Sequence, residues 1–419
     1  MALKKKFRTA VVLSGGGTRG AYEAGVIHYI RTGLPPKIAK NLKFDIHSGS
    51  SVGAINAAFM VALAHEPESQ GRELVQLWQN IRTNNIYRRG PITLGKLLIR
   101  TFMGVGAHLI NLKGWIEPDK DSLHFQGLFD TQPFFHFLLE HCPWTHISKN
   151  IESGLVDAIS VSATNMYTGQ IELFLEKRPE VPHSDRMLTR IGKLSPRHVM
   201  ASAALPVLFP PVPIHGFYYN DGGVRLNTPI APAVSLGATR ILLIGTRYRP
   251  KRTETNPDIK VGSLKPPTLA GVLGKFFHAV LLDRLEADRD QLDRINRILA
   301  SCAKHTNPEA FKAICEEAHV QPIETLSIFP SQDISKFVDE ALRNSYRRFK
   351  SFGILERVIL RLLEVDVERG SDLLTYFLFE PTYLKKLIDL GYEDARSHHH
   401  ELVEFAEHAI EESNRTVKE

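Results

Sequence analysis

Cysteine is nearly missing from this chain of 419 residues: only Cys142, Cys302 and Cys315 are present. An odd number at spacings that fit no zinc module excludes a disulfide framework and predicts a reducing compartment. Transmembrane runs are missing too. Residues 46–65 and 199–220 lack Asp, Glu, Lys and Arg, and each is long enough to span a bilayer. The first opens on Ser and Gly, and the second carries Pro206, Pro210, Pro211 and Pro213, so both read as buried core segments. A secretory leader is not expected either. Met1-Ala-Leu-Lys-Lys-Lys-Phe-Arg8 is cationic, but the apolar run 9–14 is too short for a leader core and meets glycines, which predicts a cytoplasmic protein whose first strand starts here. Charge of one sign is in small excess, 52 Lys and Arg against 46 Asp and Glu. With no basic run interleaved with aromatics, a nucleic-acid partner is not expected.

What is present is an ordinary globular composition, 43% hydrophobic and 23% charged, with enough chain for a large core. Strand-like Thr9-Ala-Val-Val-Leu-Ser14 breaks at Gly15-Gly-Gly-Thr-Arg-Gly20 and resumes as a helical pattern to Arg31. A second strand–turn–helix unit follows: Phe44-Asp-Ile-His47, then Ser48-Gly-Ser-Ser-Val-Gly53, then small residues to Ala64. Further strands are expected at 157–164, 170–175, 240–244 and 325–329, with a long helical pattern over 269–300. Strands alternating with helices predict a three-layer α/β/α fold with a mostly parallel central sheet and a helical C-terminal extension. Residues 251–267, rich in Lys, Pro and Thr, read as a loop.

Gly49-Ser50-Ser51-Val52-Gly53 is a G-x-S-x-G pattern between a strand and a helix. A turn that tight needs glycine on both sides and thrusts the central serine outward, so Ser51 is the candidate nucleophile. The loop Gly15–Gly20 also matches G-x-G-x-x-G, and Asp45 lies about where a ribose-binding acid falls in a dinucleotide site. Exposed N–H groups in such a loop hold a pyrophosphate or an oxyanion equally well. A nucleotide-linked oxidoreductase therefore stands as the rival reading, although a nucleophile elbow on the next strand favours the oxyanion.

The proton acceptor for Ser51 is less plain. Among eighteen histidines, His198 and His215 would serve a Ser-His-Asp esterase or thioesterase, but neither ends a strand motif and both read as surface or core residues. Asp221, in Phe217-Tyr-Tyr-Asn-Asp-Gly-Gly223, follows an aromatic strand and precedes two glycines. Taken alone, that run suits a type I′ hairpin turn as well as it suits a catalytic base.

Together, Gly15-Gly-Gly-Thr-Arg-Gly20, Gly49-Ser-Ser-Val-Gly-Ala-Ile-Asn-Ala57, Ala201-Ser-Ala-Ala-Leu-Pro-Val-Leu-Phe-Pro-Pro211 and Asp221-Gly-Gly223 resemble the patatin-like phospholipase family, in that family's order. The likeness is specific over residues 9–246. It is looser at 281–299, at Phe379-Glu-Pro-Thr-Tyr-Leu384 and at Gly391-Tyr-Glu-Asp394, which look like pieces of long bacterial members. Many members carry Thr where this chain has Ser50.

The resemblance implies a Ser51–Asp221 dyad without histidine and an oxyanion hole from the N–H groups of Gly15, Gly16 and Gly17. It implies that Arg19 and Gly20 support that loop, that Gly49 and Gly53 shape the elbow, and that neither metal nor cofactor is needed. Arg19 holds the loop or meets an anionic head group, with the loop role favoured. The implied substrate is a phospholipid, lysophospholipid or other acyl-ester lipid, and a silent lipid-binding module is the non-enzymatic alternative. The expected organisation is a catalytic domain over 1–330, with an insertion near 86–128 and a loop near 251–268, and a helical region over 331–419 packed on it. Residues 87–112, basic and apolar without an acidic residue, read as a lid or a membrane-surface segment. The amphipathic stretch 347–363 reads as core packing, and His398-His-His400 does not read as a metal site, because consecutive histidines diverge on a helix. The oligomeric state stays open.

Overall fold

The computed structural model describes residues 7–87, 127, 129–184, 187–248, 284–318, 320–338, 375–376 and 378–418. The expected loop 251–267, the stretch 347–363 and nearly all of the insertion 86–128, with its basic apolar segment, lie outside them.

Among the described residues nine strands form one sheet: β1 (Thr9–Leu13), β2 (Ile46–Ser50), β3 (Ala158–Asn165), β4 (Ile171–Lys177), β5 (Leu188–Ile191), β6 (Val212–Ile214), β7 (Phe217–Asp221), β8 (Arg240–Ile244) and β9 (Glu324–Ile328). The main order is β5-β4-β3-β2-β1-β8-β9, in which β3, β2, β1, β8 and β9 run parallel to one another and β5 runs parallel to β4. Antiparallel β4 and β7 both pair with β3, and β6 pairs with β7.

Alternation along β1 shows why both faces are covered. Ala10 and Val12 pack in one core with Ile241, Leu243, Ala233 and Leu292, whereas Val11 and Leu13 join the other core with Tyr22, Val26 and Met60. Side chains on a strand point alternately up and down, so a wholly apolar strand needs cover on each side. Helices Gly20–Thr32, Val52–Ala62, Pro67–Asn80 and Pro381–Ser397 cover one face, and Ile230–Ser235 and Arg284–His305 cover the other. The result is the three-layer α/β/α architecture expected from the alternation of strands and helices.

Two local readings change. The strand expected at 44–47 begins at Ile46, because Asp45 turns its carboxylate back to accept the Thr9 N–H at 2.8 Å. That places Asp45 where β1 and β2 begin, at the far end of these strands from the Gly15–Gly20 loop, so it has no part in a ribose site there. The hairpin turn considered for Asn220–Gly223 lies instead at His215-Gly216. There two residues join β6 to β7, with φ of 48° and 81°. Positive φ at both central residues is what a type I′ turn requires. Asp221 is the last residue of β7, and Gly222–Val224 continue as a short 3₁₀ turn.

The C-terminal helix Pro381–Ser397 lies almost backbone to backbone on Gly20–Thr32. A β-carbon on Gly391 would stand 3.0 Å from the Tyr22 carbonyl carbon and 3.1 Å from the Val26 nitrogen. Overpacking at such a contact costs about 1–3 kcal/mol. Gly391→Ala is therefore expected to lower the urea midpoint with an unchanged slope. An unshifted midpoint would show that the two helices can separate freely.

Candidate active site

β1 and β2 are parallel neighbours, with Leu13 opposite Gly49, so the glycine loop and the elbow leave the sheet side by side. At the elbow, Ser51 takes φ 52° and ψ −124°, a region in which a non-glycine residue is strained and persists only where its surroundings hold it. Those surroundings are specific. A β-carbon on Gly49 would lie 2.6 Å from the Ala54 nitrogen, and one on Gly53 would lie 2.9 Å from the Ser14 carbonyl oxygen. The Ser51 N–H donates to Ser202 Oγ at 2.8 Å, at the end of helix Pro196–Ser202.

β3 brings the acid to the serine. Ser50 of β2 pairs with Ser162, and Asp221 of β7 pairs with the next residue, Ala163. Because β2 runs parallel and β7 antiparallel to β3, the two strands meet end to end along one edge. Ser51 Oγ donates to Asp221 Oδ2 at 2.6 Å, and the Gly223 N–H donates to Oδ1 at 2.7 Å. Asp221 is fully buried, and burial pushes its carboxyl from the ordinary range up to about 7, against the lowering effect of the Ser51 and Gly223 hydrogen bonds. No histidine among the described residues hydrogen-bonds Ser51. The His198 ring binds back to Ser195 and packs on Phe174, and His215 occupies the exposed hairpin turn.

The glycine loop departs from expectation at one donor. The Gly15 N–H is spent on the Asn227 carbonyl at 3.0 Å, while those of Gly16 and Gly17 have no acceptor among the described residues. Thr246 Oγ1 donates to the Gly15 carbonyl at 2.6 Å and the Arg19 N–H to that of Gly16 at 3.2 Å, which fixes the plane of the loop. Gly17 has φ 59°, and a β-carbon there would strike the Tyr376 backbone. Arg19 is buried: Nε and Nη2 donate to Thr375 Oγ1 at 3.2 and 2.8 Å, and the guanidinium lies 5.1 Å from the centre of the Tyr376 ring. Gly20 lets Val52 and Trp78 close on the start of its helix.

Several contributors carry no local signal. Asn56 of the elbow helix donates to Glu23 Oε2 at 2.7 Å and accepts from Trp78 Nε1 at 2.9 Å, which ties three helices beneath Ser51. Burial holds the Glu23 carboxyl well above the usual range. Thr375, Tyr376 and Phe379 come from the helical C-terminal part, yet they close on the loop and the cavity. Beside Ser51 opens a small apolar cleft lined by Val52, Ile55, Trp78, Phe134, Phe209 and Tyr376, among others. It is apolar enough for an acyl chain. A larger groove, about 600 Å³, lies against Val234, Leu292 and Phe311 and has neither the serine nor the acid. Among the described residues no cluster of His, Cys, Asp and Glu could hold a metal, and no helix is long and apolar enough to cross a membrane.

A family model described as patatin-like phospholipase matches residues 11–234, more than half of the chain and all of the motifs above. The class is that of lipid acyl hydrolases. The chain belongs to the patatin-like phospholipase family. Among solved structures, VipD from Legionella pneumophila is 13% identical, with 94% of this chain and 67% of that one covered at a TM-score of 0.32. The human GIVD cytosolic phospholipase A2, solved with methyl gamma-linolenyl fluorophosphonate, is 11% identical, with 98% and 60% covered at a TM-score of 0.38. The chain thus spans 60% of the human protein's length, and likeness at this level says nothing of substrate. A comparison with curated proteins finds no match.

The raised Asp221 pKa has a consequence for stability. A carboxyl that titrates near 7 when folded but near 3.9 when unfolded favours the folded state fully at low pH and loses that contribution as pH rises through 7. Asp221→Asn keeps the shape and cannot ionise. Its stability relative to the parent is expected to improve between pH 5 and pH 8, by on the order of 1–3 kcal/mol. A difference in denaturant midpoint that stays flat over that interval would place the carboxyl in its ordinary range.

Proposed function

We propose that the chain is a metal-independent serine hydrolase of fatty-acyl esters in phospholipids or lysophospholipids, a phospholipase A or lysophospholipase, with a Ser51–Asp221 dyad. Ser51 Oγ attacks the ester carbonyl carbon and its proton passes to Asp221 Oδ2. The carbonyl oxygen gathers negative charge against the N–H groups of Gly16 and Gly17, pre-oriented donors that need no reorganisation as the charge forms. Asp221 then protonates the departing alcohol. Water attacks the acyl-enzyme, its proton goes to Asp221, and Asp221 passes it to Ser51 Oγ, which restores the hydroxyl as the fatty acid leaves.

One observation carries this reading: a buried carboxylate with a pKa brought near neutrality hydrogen-bonds the elbow serine directly, in the place a histidine takes in a triad. A pKa near the working pH gives a base that is both ionised and strong enough to accept the serine proton. An isolated serine with a carboxylate at its ordinary pKa would lack the second property. The apolar lining of the cleft beside Ser51 supports an acyl substrate, and the unpaired Cys142, Cys302 and Cys315 fit a reducing, cytoplasmic setting.

The test is active-site labelling paired with turnover. A fluorophosphonate probe is expected to label the parent and not Ser51→Ala, and both Ser51→Ala and Asp221→Asn should lose about 10³-fold or more in phospholipid hydrolysis, with EDTA leaving the parent rate unchanged. For the parent, kcat/KM should rise with pH through a midpoint near 7, since only the ionised carboxyl accepts a proton. Undiminished hydrolysis by Asp221→Asn would remove Asp221 from the base role.

We further propose that the enzyme meets its lipid at a membrane surface through the turn between β3 and β4 and the β6–β7 hairpin. Met166, Tyr167, Phe217 and Tyr218 are exposed there. Tyr167 and Phe217 meet edge to face at 5.9 Å, with the Arg190 guanidinium 5.1 Å from the centre of the Phe217 ring. Aromatic rings beside a cation suit the headgroup region of a bilayer. β7 joins this tip directly to Asp221. The double variant Tyr167→Ser/Phe217→Ser is expected to co-sediment several-fold less with phosphatidylcholine–phosphatidylglycerol vesicles while hydrolysing a soluble short-chain ester at the parent rate. Unchanged sedimentation would exclude this surface.

A further inference from the structure

Asn227 lies between the Asp-Gly-Gly segment and helix Ile230–Ser235, 1% exposed. Its carbonyl holds the Gly15 N–H, but neither Nδ2 nor Oδ1 of its side chain has a partner among the described residues. Native interiors seldom leave a buried amide unpaired at both atoms, and such a group calls for an explanation.

Its position supplies one. A β-carbon on Gly15 would run into the amide oxygen, Oδ1, of Asn227 and stand 3.1 Å from Ser51 Cβ; with neither amide atom paired, a half-turn about the last side-chain bond puts Nδ2 in that place. The carboxamide and the serine therefore lie close together, both against the bare Cα of Gly15. The acyl cavity opens from Ser51 on the Gly17 and Val52 side, and the two unpaired loop donors belong to Gly16 and Gly17. An acyl carbon bonded to Ser51 Oγ thus has its chain in the cavity and its oxyanion on those donors. Its remaining substituent, the ester oxygen that departs, points away from the cavity toward Gly15.

We propose that the Asn227 carboxamide hydrogen-bonds this departing oxygen, and then the water oxygen that replaces it. The inference rests on Ser51 being the nucleophile. In acylation the bond from Ser51 Oγ to the acyl carbon forms, the bond from that carbon to the alkoxy oxygen breaks, and the alkoxy oxygen takes the proton held by Asp221 while Nδ2–H steadies its charge. In deacylation a water oxygen bonds to the acyl carbon, its proton passes to Asp221, and the Ser51 Oγ bond breaks as Asp221 returns that proton to Oγ. The carboxamide holds that water in the place the alcohol has left.

The experiment compares two esters of one fatty acid, a p-nitrophenyl ester and an alkyl ester, by burst and steady-state kinetics. p-Nitrophenolate is stable as an anion and needs no donor as it leaves, whereas an alkoxide does. Asn227→Leu and Asn227→Ala should acylate with the aryl ester within about 3-fold of the parent. They should then deacylate about 10- to 100-fold more slowly, so that a burst of acyl-enzyme appears, and acylate with the alkyl ester about 10- to 100-fold more slowly. Fluorophosphonate labelling at the parent rate shows that the dyad is still assembled. Should both variants fail to fold, Asn227→Asp, which keeps the shape and loses the donor, is expected to show the same pattern. Equal slowing of acylation by the two esters, or no slowing of either, overturns the role of Asn227 and leaves the dyad standing. Full turnover by Ser51→Ala overturns both.

Discussion

β2 and β7 run toward each other along the same edge of β3, and where each stops sets the gap between Ser51 and Asp221. β3 acts as a ruler, because its residues 162 and 163 pair with Ser50 and Asp221. A slip of one residue in either pairing would turn the alternate side chain toward the site, since strand side chains repeat with a period of two. The serine–carboxylate hydrogen bond is therefore a property of sheet register. Elements that lock the register, such as the hydrogen bond from Thr164 Oγ1 to the Asp221 carbonyl at 2.9 Å, support the chemistry without touching it.

The same arrangement decides the electrostatics. Asp221 ends its strand inside the protein with two hydrogen bonds to its carboxylate, one from a backbone N–H and one from the serine. Two donors leave a buried carboxylate short of the solvation it has in water, so burial wins and the pKa rises. With a third strong donor, such as a guanidinium, the acid would be too weak a base for a serine. Arg19, the charged residue nearest in sequence to the glycine loop, is instead turned toward Thr375 and Tyr376, where it braces the loop that presents Gly16 and Gly17.

Much of this could be read along the chain. β8 has the bounds its apolar run predicts, β1 ends within one residue of them, and the elbow glycines are needed for the reason their spacing suggests. The pairing of Ser51 with Asp221 was expected from family resemblance; Asn-Asp-Gly-Gly by itself is also good turn chemistry, and the turn lies at His215-Gly216 instead. Contacts with Ser202, Asn227, Thr246, Thr375 and Tyr376 had no local signature, because an isolated Ser, Thr or Asn looks alike whether it faces water or a loop across the molecule. The spending of the Gly15 N–H on Asn227 belongs with these: a glycine run announces exposed donors but not their acceptors.

Local sequence, through sterics that act within a few residues, determined the strands, the glycine hinges and the strained serine at the end of β2. Tertiary structure alone decided that a carboxylate 170 residues further along the chain reaches that serine, that burial raises its pKa, and which loop donors stay free. Those outcomes depend on strand register and on the solvent that packing excludes, and both are settled only when the whole sheet and its covering helices have assembled.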